Sequence, residues 1–395
     1  MSNIYDLITK SCPNGVELKK LKDLCKIETG KLNANEAVED GKYNFFTTAK
    51  DISKINKYRW DAEALLIAGN ANVGDVKYYN GKFEAYQRTY VLTEFLSTVD
   101  VKYLYHVLSN DLKQYLDSNK NEAAMTYIVL KTLEEFEIAI PPLDIQREIV
   151  KILDKFGELE AELEAELEAR KSQYEFWSGK TFESHMGGET KHITDIALVK
   201  ARVGWQRLTT AEYLNTGDYY LITGTDFTPE GKINFNNCVY VTKERYEMDE
   251  NIQVHENDIL ITKDGTLGKI AYLEKEPDKL TTLNSGVFRI KITDENVLPR
   301  YIYHYFNSKV FKDFIEKVKT GSTIPHLTQE KLVGLNIPIP NIEDQKKIIN
   351  ILDKFSNLTR SLSVGLPAEI ELRRKQYEYY RNKLLSFEEI NHGEY

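Results

Sequence analysis

Residues 138–156, IAIPPLDIQREIVKILDKF, return at 337–355 as IPIPNIEDQKKIINILDKF, without a gap and with 10 of the 19 positions identical. Gln146 and Gln345 are therefore 199 positions apart, as are Phe156 and Phe355. The echo continues in RKSQYEFW at 170–177 and RRKQYEYY at 373–380, where the offset has grown to 203. Fainter copies lie upstream: KYLYHVLSN at 102–110 answers RYIYHYFNS at 300–308, and ALLIAGNANVG, ending at Gly74, answers DILITKDGTLG, ending at Gly268. A chain that writes one large unit twice is constrained to fold as two similar bodies with two similar working surfaces. The period is far too long for a solenoid, whose repeats run about 20–50 residues.

A length of 395 residues leaves room for two such bodies, each with its own core. No apolar run approaches the ~20 residues of a membrane span. MSNIYDLITK lacks the apolar stretch of a secretory signal, so a cytoplasmic chain is expected. Cys12, Cys25 and Cys238 form no CxxC pair, which fits a reducing compartment and argues against a disulfide or zinc framework. The net charge of −9 speaks at first against nucleic acid, but its distribution matters more than its sum. Residues 141–183 hold 6 Lys and Arg against 11 Asp and Glu, whereas 1–140 hold 18 against 20. The acid sits in one helical stretch, and the near-neutral remainder is free to carry basic faces. Weak DNA binding by the chain alone is the expectation.

The pattern predicts globule, long helix, globule, long helix, with boundaries at 1–140, 141–186, 187–339 and 340–395. In the first arm Ile149, Ile152, Phe156, Leu159 and Leu163 recur at alternating spacings of three and four, the seam of a coiled coil, and Leu167, Tyr174 and Trp177 continue it. The second arm repeats the seam with Ile348, Ile351, Phe355, Leu358 and Leu362, then Leu366, Ile370, Tyr377 and Tyr380. Gly365 and Pro367 predict a break there and a restart near Ala368. In the globules, Asp258–Lys263, Asp264-Gly265 and Gly268–Leu273 read as a hairpin, 284–292 as a strand, and 101–116 and 299–319 as helices. The expected fold class is α+β: two mainly β domains separated by two long antiparallel helices that form a coiled coil, with an internal pseudo-two-fold repeat.

Three tracts carry a resemblance: the paired segments ending in ILDKF, the run ELEAELEAELEARKSQYE, and GLPAEIELRRKQYEYYRNKLLSF. In this order they resemble the specificity subunit of type I restriction-modification enzymes. GSTIPHLTQEKL at 321–332 is also the kind of segment that ends a target-recognition domain in that family, although the first repeat has AAMTYIVLKTL, at 123–133, in that position. The resemblance covers essentially the whole chain. It implies two target-recognition domains, each reading one half of a bipartite site in double-stranded DNA. It implies helices that set the spacing and dock two methyltransferase (modification) subunits, with restriction (translocase-nuclease) subunits joining for cleavage. It implies no cofactor in this chain, with S-adenosylmethionine and ATP/Mg held by the partner subunits, and no catalytic residue.

Motifs for chemistry are poor matches. Gly265-Thr-Leu-Gly268-Lys269 is too short for a P-loop. Asp226, Glu230 and Lys232 echo a nuclease set only superficially, since Thr228-Pro-Glu-Gly-Lys is a turn sequence. His106 and His304 occupy matched positions on aromatic helix faces and read as packed residues. No metal site is proposed.

Binding chemistry remains. Base readout needs donors and acceptors on protruding loops, backed by Lys or Arg for phosphates. Lys263, Thr266 and Lys269 offer this on the second hairpin, and Asn70, Asn72 and Lys77 on its counterpart. Thr47, Thr48, Lys50, Gln87 and Arg88 join the first set; Thr223, Thr225, Ser322, Thr323 and His326 join the second. For each residue alone an ordinary solvated loop explains it as well; as a set on loops over a rigid scaffold they are the DNA-binding candidates. Tyr174, Phe176, Trp177, Tyr377, Tyr379 and Tyr380 are the partner-binding candidates, since aromatics are enriched at hot spots, with several needed instead to close the coiled coil. The competing class is a non-catalytic coiled-coil adaptor that binds protein partners without DNA, which the acidic balance favours slightly and the family resemblance disfavours strongly.

Overall fold

The structure, a computed structural model, describes residues 8, 10–13, 15–118, 127–185, 188–203, 208–264, 266–319, 327–361 and 363–387. The chain divides into two compact units, Met1–Ala161 with Leu372–Tyr395, and Glu162–Glu371. Each unit thus takes one part of each helical arm.

Unit one contains β1 (Leu18–Lys20), β2 (Lys26–Thr29), β3 (Tyr43–Phe46), β4 (Ser53–Ile55), β5 (Trp60–Ala68), β6 (Val76–Ala85), β7 (Thr89–Thr93) and β8 (Glu137–Ala139). Six of these form one sheet in the order β2-β7-β5-β6-β3-β4, antiparallel except for the β3–β6 pair. Alternate residues of β5 serve opposite faces, as the strand period of two requires. Leu65 and Ile67 join the core under helix α1 (Val101–Val107), while Ala64 and Leu66 pack with Phe46, Phe83 and Trp60 on the other side. Asp100 caps α1 by accepting from the amides of Lys102 and Tyr103, and α2 (Lys113–Ser118) follows after a π-helical turn.

Unit two repeats the plan with β9 (Thr190–His192), β10 (Ala197–Ala201), β11 (Tyr219–Ile222), β12 (Val239–Val241), β13 (Ile259–Thr262), β14 (Ile270–Tyr272), β15 (Leu280–Leu283), β16 (Val287–Ile292) and β17 (Asn336–Pro338). Here the sheet is divided into β10-β16-β13-β14 and β12-β11-β15. The parallel pair β11–β15 answers β3–β6, so β14 and β15 together stand where unit one has the single long β6. Residues 273–279, LEKEPDK, explain the division: Pro277 has no amide for a ladder and five charges disfavour a sheet interior. The expected hairpin is present as β13–β14, with Ile259 opposite Tyr272. The expected helices are α1 and α2 in unit one, and α3 (Pro299–Asn307) and α4 (Lys309–Lys319) in unit two. In each unit a two-stranded ribbon, β1–β8 or β9–β17, ties the start of the globule to the strand just before its arm.

The first arm is one helix, Leu143–His185; the second is two, Ile342–Arg360 and Leu366–Leu385. The break is where it was expected, but the helix resumes at Leu366, two residues before Ala368. Pro367 then falls in the first turn, where no amide donor is needed. Gly365 is required there, because a Cβ would lie 2.4 Å from the Asn357 carbonyl oxygen.

The arms pair antiparallel. In unit one the Phe156 ring lies 5.7 Å from Tyr380 and 6.0 Å from Tyr377, and Arg374 donates to Glu160 at 2.5 Å. In unit two the Arg360 guanidinium sits 5.3 Å above the Tyr174 ring. Of the six glutamates between 158 and 168, Glu160 alone is half-buried and the rest are exposed, so the acidic run is the solvated face. The seam of the second arm differs from expectation. Ile351 and Leu358 are 53% and 37% exposed, and the buried face is Ile348, Leu352, Ser356 and Thr359. This helix turns that face onto α3 and its globule, which displaces Ile351 and Leu358 outward. Leu362 lies outside the described residues.

The repeated motif has a local explanation. Gln146 is fully buried; its amide nitrogen donates to the carbonyls of Pro141 (2.7 Å) and Thr98 (2.9 Å), and its oxygen accepts from the Asp100 amide at 2.8 Å. Gln345 does the same with Pro340 (2.8 Å), Asn296 (2.9 Å) and the Leu298 amide (2.9 Å). Eight residues further along each arm, Asp154 accepts from His106 Nε2 at 3.0 Å and Lys102 at 2.7 Å. Asp353 accepts from His304 Nε2 at 2.8 Å and Arg300 at 2.9 Å. Both histidines are buried, as expected for packed residues. Burial holds both below the ordinary 6.5 despite their carboxylate partners, so each is a neutral hydrogen-bonding group.

Candidate nucleic-acid interface

The loops that leave the two sheets are built on one turn used twice. In unit one the Ala68 amide donates to the Asp75 carbonyl (2.9 Å), Gly74 to Ala68 (3.0 Å), Gly69 to Arg88 (2.8 Å) and Ile128 to Gly69 (2.7 Å). In unit two Thr262 donates to Lys269 (3.0 Å), Gly268 to Thr262 (2.9 Å), Lys263 to Gly286 (2.8 Å) and Leu327 to Lys263 (3.2 Å). Gly74 and Gly268 have φ of +82° and +79°, a region that an L side chain rarely adopts, so both copies keep glycine. The backbone frame is the same; the residues displayed on it are not.

In unit one the frame gathers all eight candidates at one end of the sheet. The Tyr86 amide donates to the Phe46 carbonyl at 2.9 Å, which brings Gln87 and Arg88 beside the 47–50 loop. Asn72 donates to the Thr48 carbonyl at 2.8 Å, and Lys77 to Ala49 at 2.7 Å and Asp75 at 3.0 Å. Asn72 and Lys77 thus brace the loops, and Thr48 is buried. Lys50, Gln87 and Arg88 are the exposed members, with Gln87 also donating to Asn33 at 3.1 Å. Asn70 pairs its backbone with Tyr127, and its buried side-chain oxygen meets no donor among the described residues. A cleft of about 760 Å³ opens beside them, lined also by Tyr105, Ser109 and Lys113. Sequence reading missed these helical residues, although KYLYHVLSN, singled out as a repeat, contains the first two.

In unit two Thr223, Thr225, Lys263, Thr266 and Lys269 are gathered likewise. Thr223 donates through its amide and hydroxyl to Asp226 (2.7 and 2.9 Å), and its hydroxyl lies 2.7 Å from that of Thr225. Lys269 reaches the Gly224 carbonyl at 3.4 Å, and the Lys263 ammonium lies 5.3 Å from the Phe288 ring centre. Thr266 is exposed at the hairpin tip. Ser322, Thr323 and His326 lie outside the described residues, as do 123–126 of the segment that replaces their motif in unit one.

The aromatic candidates divide. Tyr174 is 3% exposed and belongs to the core of unit two, so its assignment to a partner surface is corrected. Tyr377 and Tyr380 are half-buried against Phe156 and close the helix pair. Phe176, Trp177 and Tyr379 are 59%, 47% and 60% exposed.

The motifs set aside for chemistry behave as turns. Asp226 is buried and caps its own loop, and the Thr228 amide closes on the Lys232 carbonyl at 2.9 Å around Gly231, φ +77°. Among the described residues no group of three His, Cys, Asp or Glu is placed to hold a metal, and no helix is long and apolar enough to cross a membrane. Cys25 is buried and its thiol is pushed up to about 12, which makes it inert.

A duplicated α+β scaffold presents two matched loop clusters, each on a globule clasped to a helical arm. The family model for the type I restriction modification DNA specificity domain matches residues 13–169 and again 187–372, and the chain belongs to that family. It is 31% identical over 347 residues to a putative type I restriction enzyme specificity subunit of Haemophilus influenzae, covering 84% of this chain and 85% of that one. It is 37% identical over 250 residues to the type I restriction enzyme EcoR124I/EcoR124II specificity subunit of Escherichia coli, covering 62% and 60%. Among solved structures, the S subunit of a type I restriction-modification system from M. genitalium matches at a TM-score of 0.56, with 18% identity over 93% of this chain and 96% of that one. A chain from a solved type I system matches at 0.64, with 12% identity over 95% and 98%. At these identities the structures show the shared fold.

Proposed function

We propose that this chain is the non-catalytic, sequence-reading subunit of a type I restriction-modification complex. Each loop cluster enters a major groove and reads one half of a bipartite site. The arms set the unspecified spacer and dock two methyltransferase subunits, with restriction subunits joining for cleavage. S-adenosylmethionine and ATP/Mg belong to those partners, and the complex works in the cytoplasm. The observation that carries this reading is the twice-used turn: an identical backbone frame displays Asn70, Asn72 and Asp75 in one unit and Asp264, Thr266 and Lys269 in the other. Equivalent frames with different donors and acceptors suit two surfaces that read two different base sequences. Phe176, Trp177 and Tyr379 supply exposed aromatic area of the kind that anchors protein interfaces, and they are the candidate contacts to the methyltransferase.

The test is methylome mapping in cells that express the chain with its methyltransferase subunits, alongside assays of the purified chain alone. The expected result is one bipartite motif with a fixed gap, and no methylation or cleavage by the chain by itself. Turnover by the isolated chain contradicts the non-catalytic role, and a modified motif without two separated halves contradicts the two-reader role. Full complex assembly with no DNA affinity leaves the adaptor as the better account.

A further inference from the structure

The clasps that join each globule to its arm belong neither to the loop clusters nor to the seam between helices. They are nevertheless repeated contact for contact. In both units one buried glutamine binds three backbone segments: the proline carbonyl just before the arm, the loop before the globule's helix, and an amide at the start of that helix. In both, a carboxylate eight residues along the arm binds a histidine and a cation from the same globular helix. Eight residues of helix span roughly 12 Å. A single anchor leaves a globule free to swivel on its arm; two anchors that far apart remove the swivel. Packing of the apolar neighbours alone, such as Ile149 or Ile348, would hold the two together without selecting one rotation so sharply, because apolar contacts are non-directional.

We propose that Gln146 and Gln345, together with Asp154 and Asp353, are positioning residues that fix the angle between each reading surface and its arm, and so determine how strictly one spacer length is enforced. This rests on the bipartite reading proposed above. Asp154 and Asp353 are each about one-third exposed, so replacing them by Asn is a mild change, whereas Gln146→Leu takes the partner from the buried Pro141 carbonyl and from the part-buried Thr98 carbonyl and Asp100 amide.

The experiment maps methylation in cells that carry the full chain and its methyltransferase subunits, comparing wild type with Gln146→Leu, Asp154→Asn, the double variant, and the matching changes at Gln345 and Asp353. The expected result is that both half-sequences persist while modification at sites one base pair longer or shorter rises by roughly tenfold relative to wild-type spacing, which corresponds to ~1.4 kcal/mol of lost discrimination. The double variants should relax the spacer further than either single change. A uniform loss of methylation with an unchanged spacer distribution marks a merely structural role and overturns the proposal. Blurring of a half-sequence, meaning that the residues act on the reading loops, overturns it too. If Gln146→Leu fails to accumulate, Asp154→Asn decides the matter. A wild-type motif without two halves would contradict the proposed function itself, before any variant is read.

Discussion

The turn after β5 and the turn after β13 share four backbone hydrogen bonds and a left-handed glycine, yet at the three positions compared, 70, 72 and 75 against 264, 266 and 269, no residue is the same. The strand that follows shows the opposite tolerance. One unit has a continuous ten-residue β6, while the other splits it around LEKEPDK, with little consequence for what pairs with what. Geometry is therefore held constant at two places, the turn that aims the loops and the clasp that ties the globule to its arm, and is relaxed between them. That pattern suits the proposed pair of readers, unlike sequences on like mounts.

Breaking the phase of the first arm should do most damage. Phe156 packs in unit one and Tyr174 in unit two, on one uninterrupted helix. Inserting two residues after Ala165 rotates one packing face by roughly 200° against the other, and assembly with methyltransferase should be lost. Duplicating Glu162–Ala165 instead adds four residues, slightly more than one turn, which keeps the seam nearly in register and lengthens the helix by roughly 6 Å. Both half-sequences should then persist while the spacer grows by one or two base pairs, at ~3.4 Å each. Methylation-site mapping distinguishes these outcomes; a functional two-residue variant would show that the arm is not a continuous ruler.

A smaller effect compares the two clasps under acid. Burial holds His106 and His304 below 6.5, so the unfolded chain takes up protons that the folded chain resists, and stability is lost as pH falls from about 6.5. Burial alone would raise Asp154 and Asp353, but hydrogen bonds from Lys102 and His106, and from His304 and Arg300, hold them below 3.8. Their contribution is present above that value and disappears as pH drops through the depressed one. The thermal midpoint of the full chain should fall between pH 7 and pH 5, by about 2–4 °C for each ~1 kcal/mol lost in a unit of this size. His304→Asn should flatten the slope. A midpoint that rises toward pH 5 contradicts the neutral assignment.

Much of this architecture was legible in the chain because duplication exposes what is structural. The arms, the break at Gly365 and the β13 hairpin follow from spacing and turn chemistry that act locally. What misled was the seam: Ile351 and Leu358 fit a heptad, but the second arm also packs on its own globule, and that tertiary demand turned Leu352 and Thr359 inward instead. Gln146 and Gln345 were visible as matched letters, but their three backbone partners come from segments 5 and up to 49 positions away, and no local pattern encodes such a meeting. Among the reading candidates, Asn72 and Lys77 look like free donors in sequence, and only the fold shows them spent on Thr48 and Ala49.

If the two proposed surfaces read independently, damage to one leaves the other intact. Replacing Lys263, Thr266 and Lys269 with alanine together, with unit one untouched, and mapping methylation beside the wild type decides this. A good bidentate base contact is worth about 1–3 kcal/mol of discrimination, so one half of the motif should become degenerate at the affected bases. The other half and the spacer should remain as in wild type. Equal loss of specificity in both halves, or full activity with neither half altered, would contradict the account.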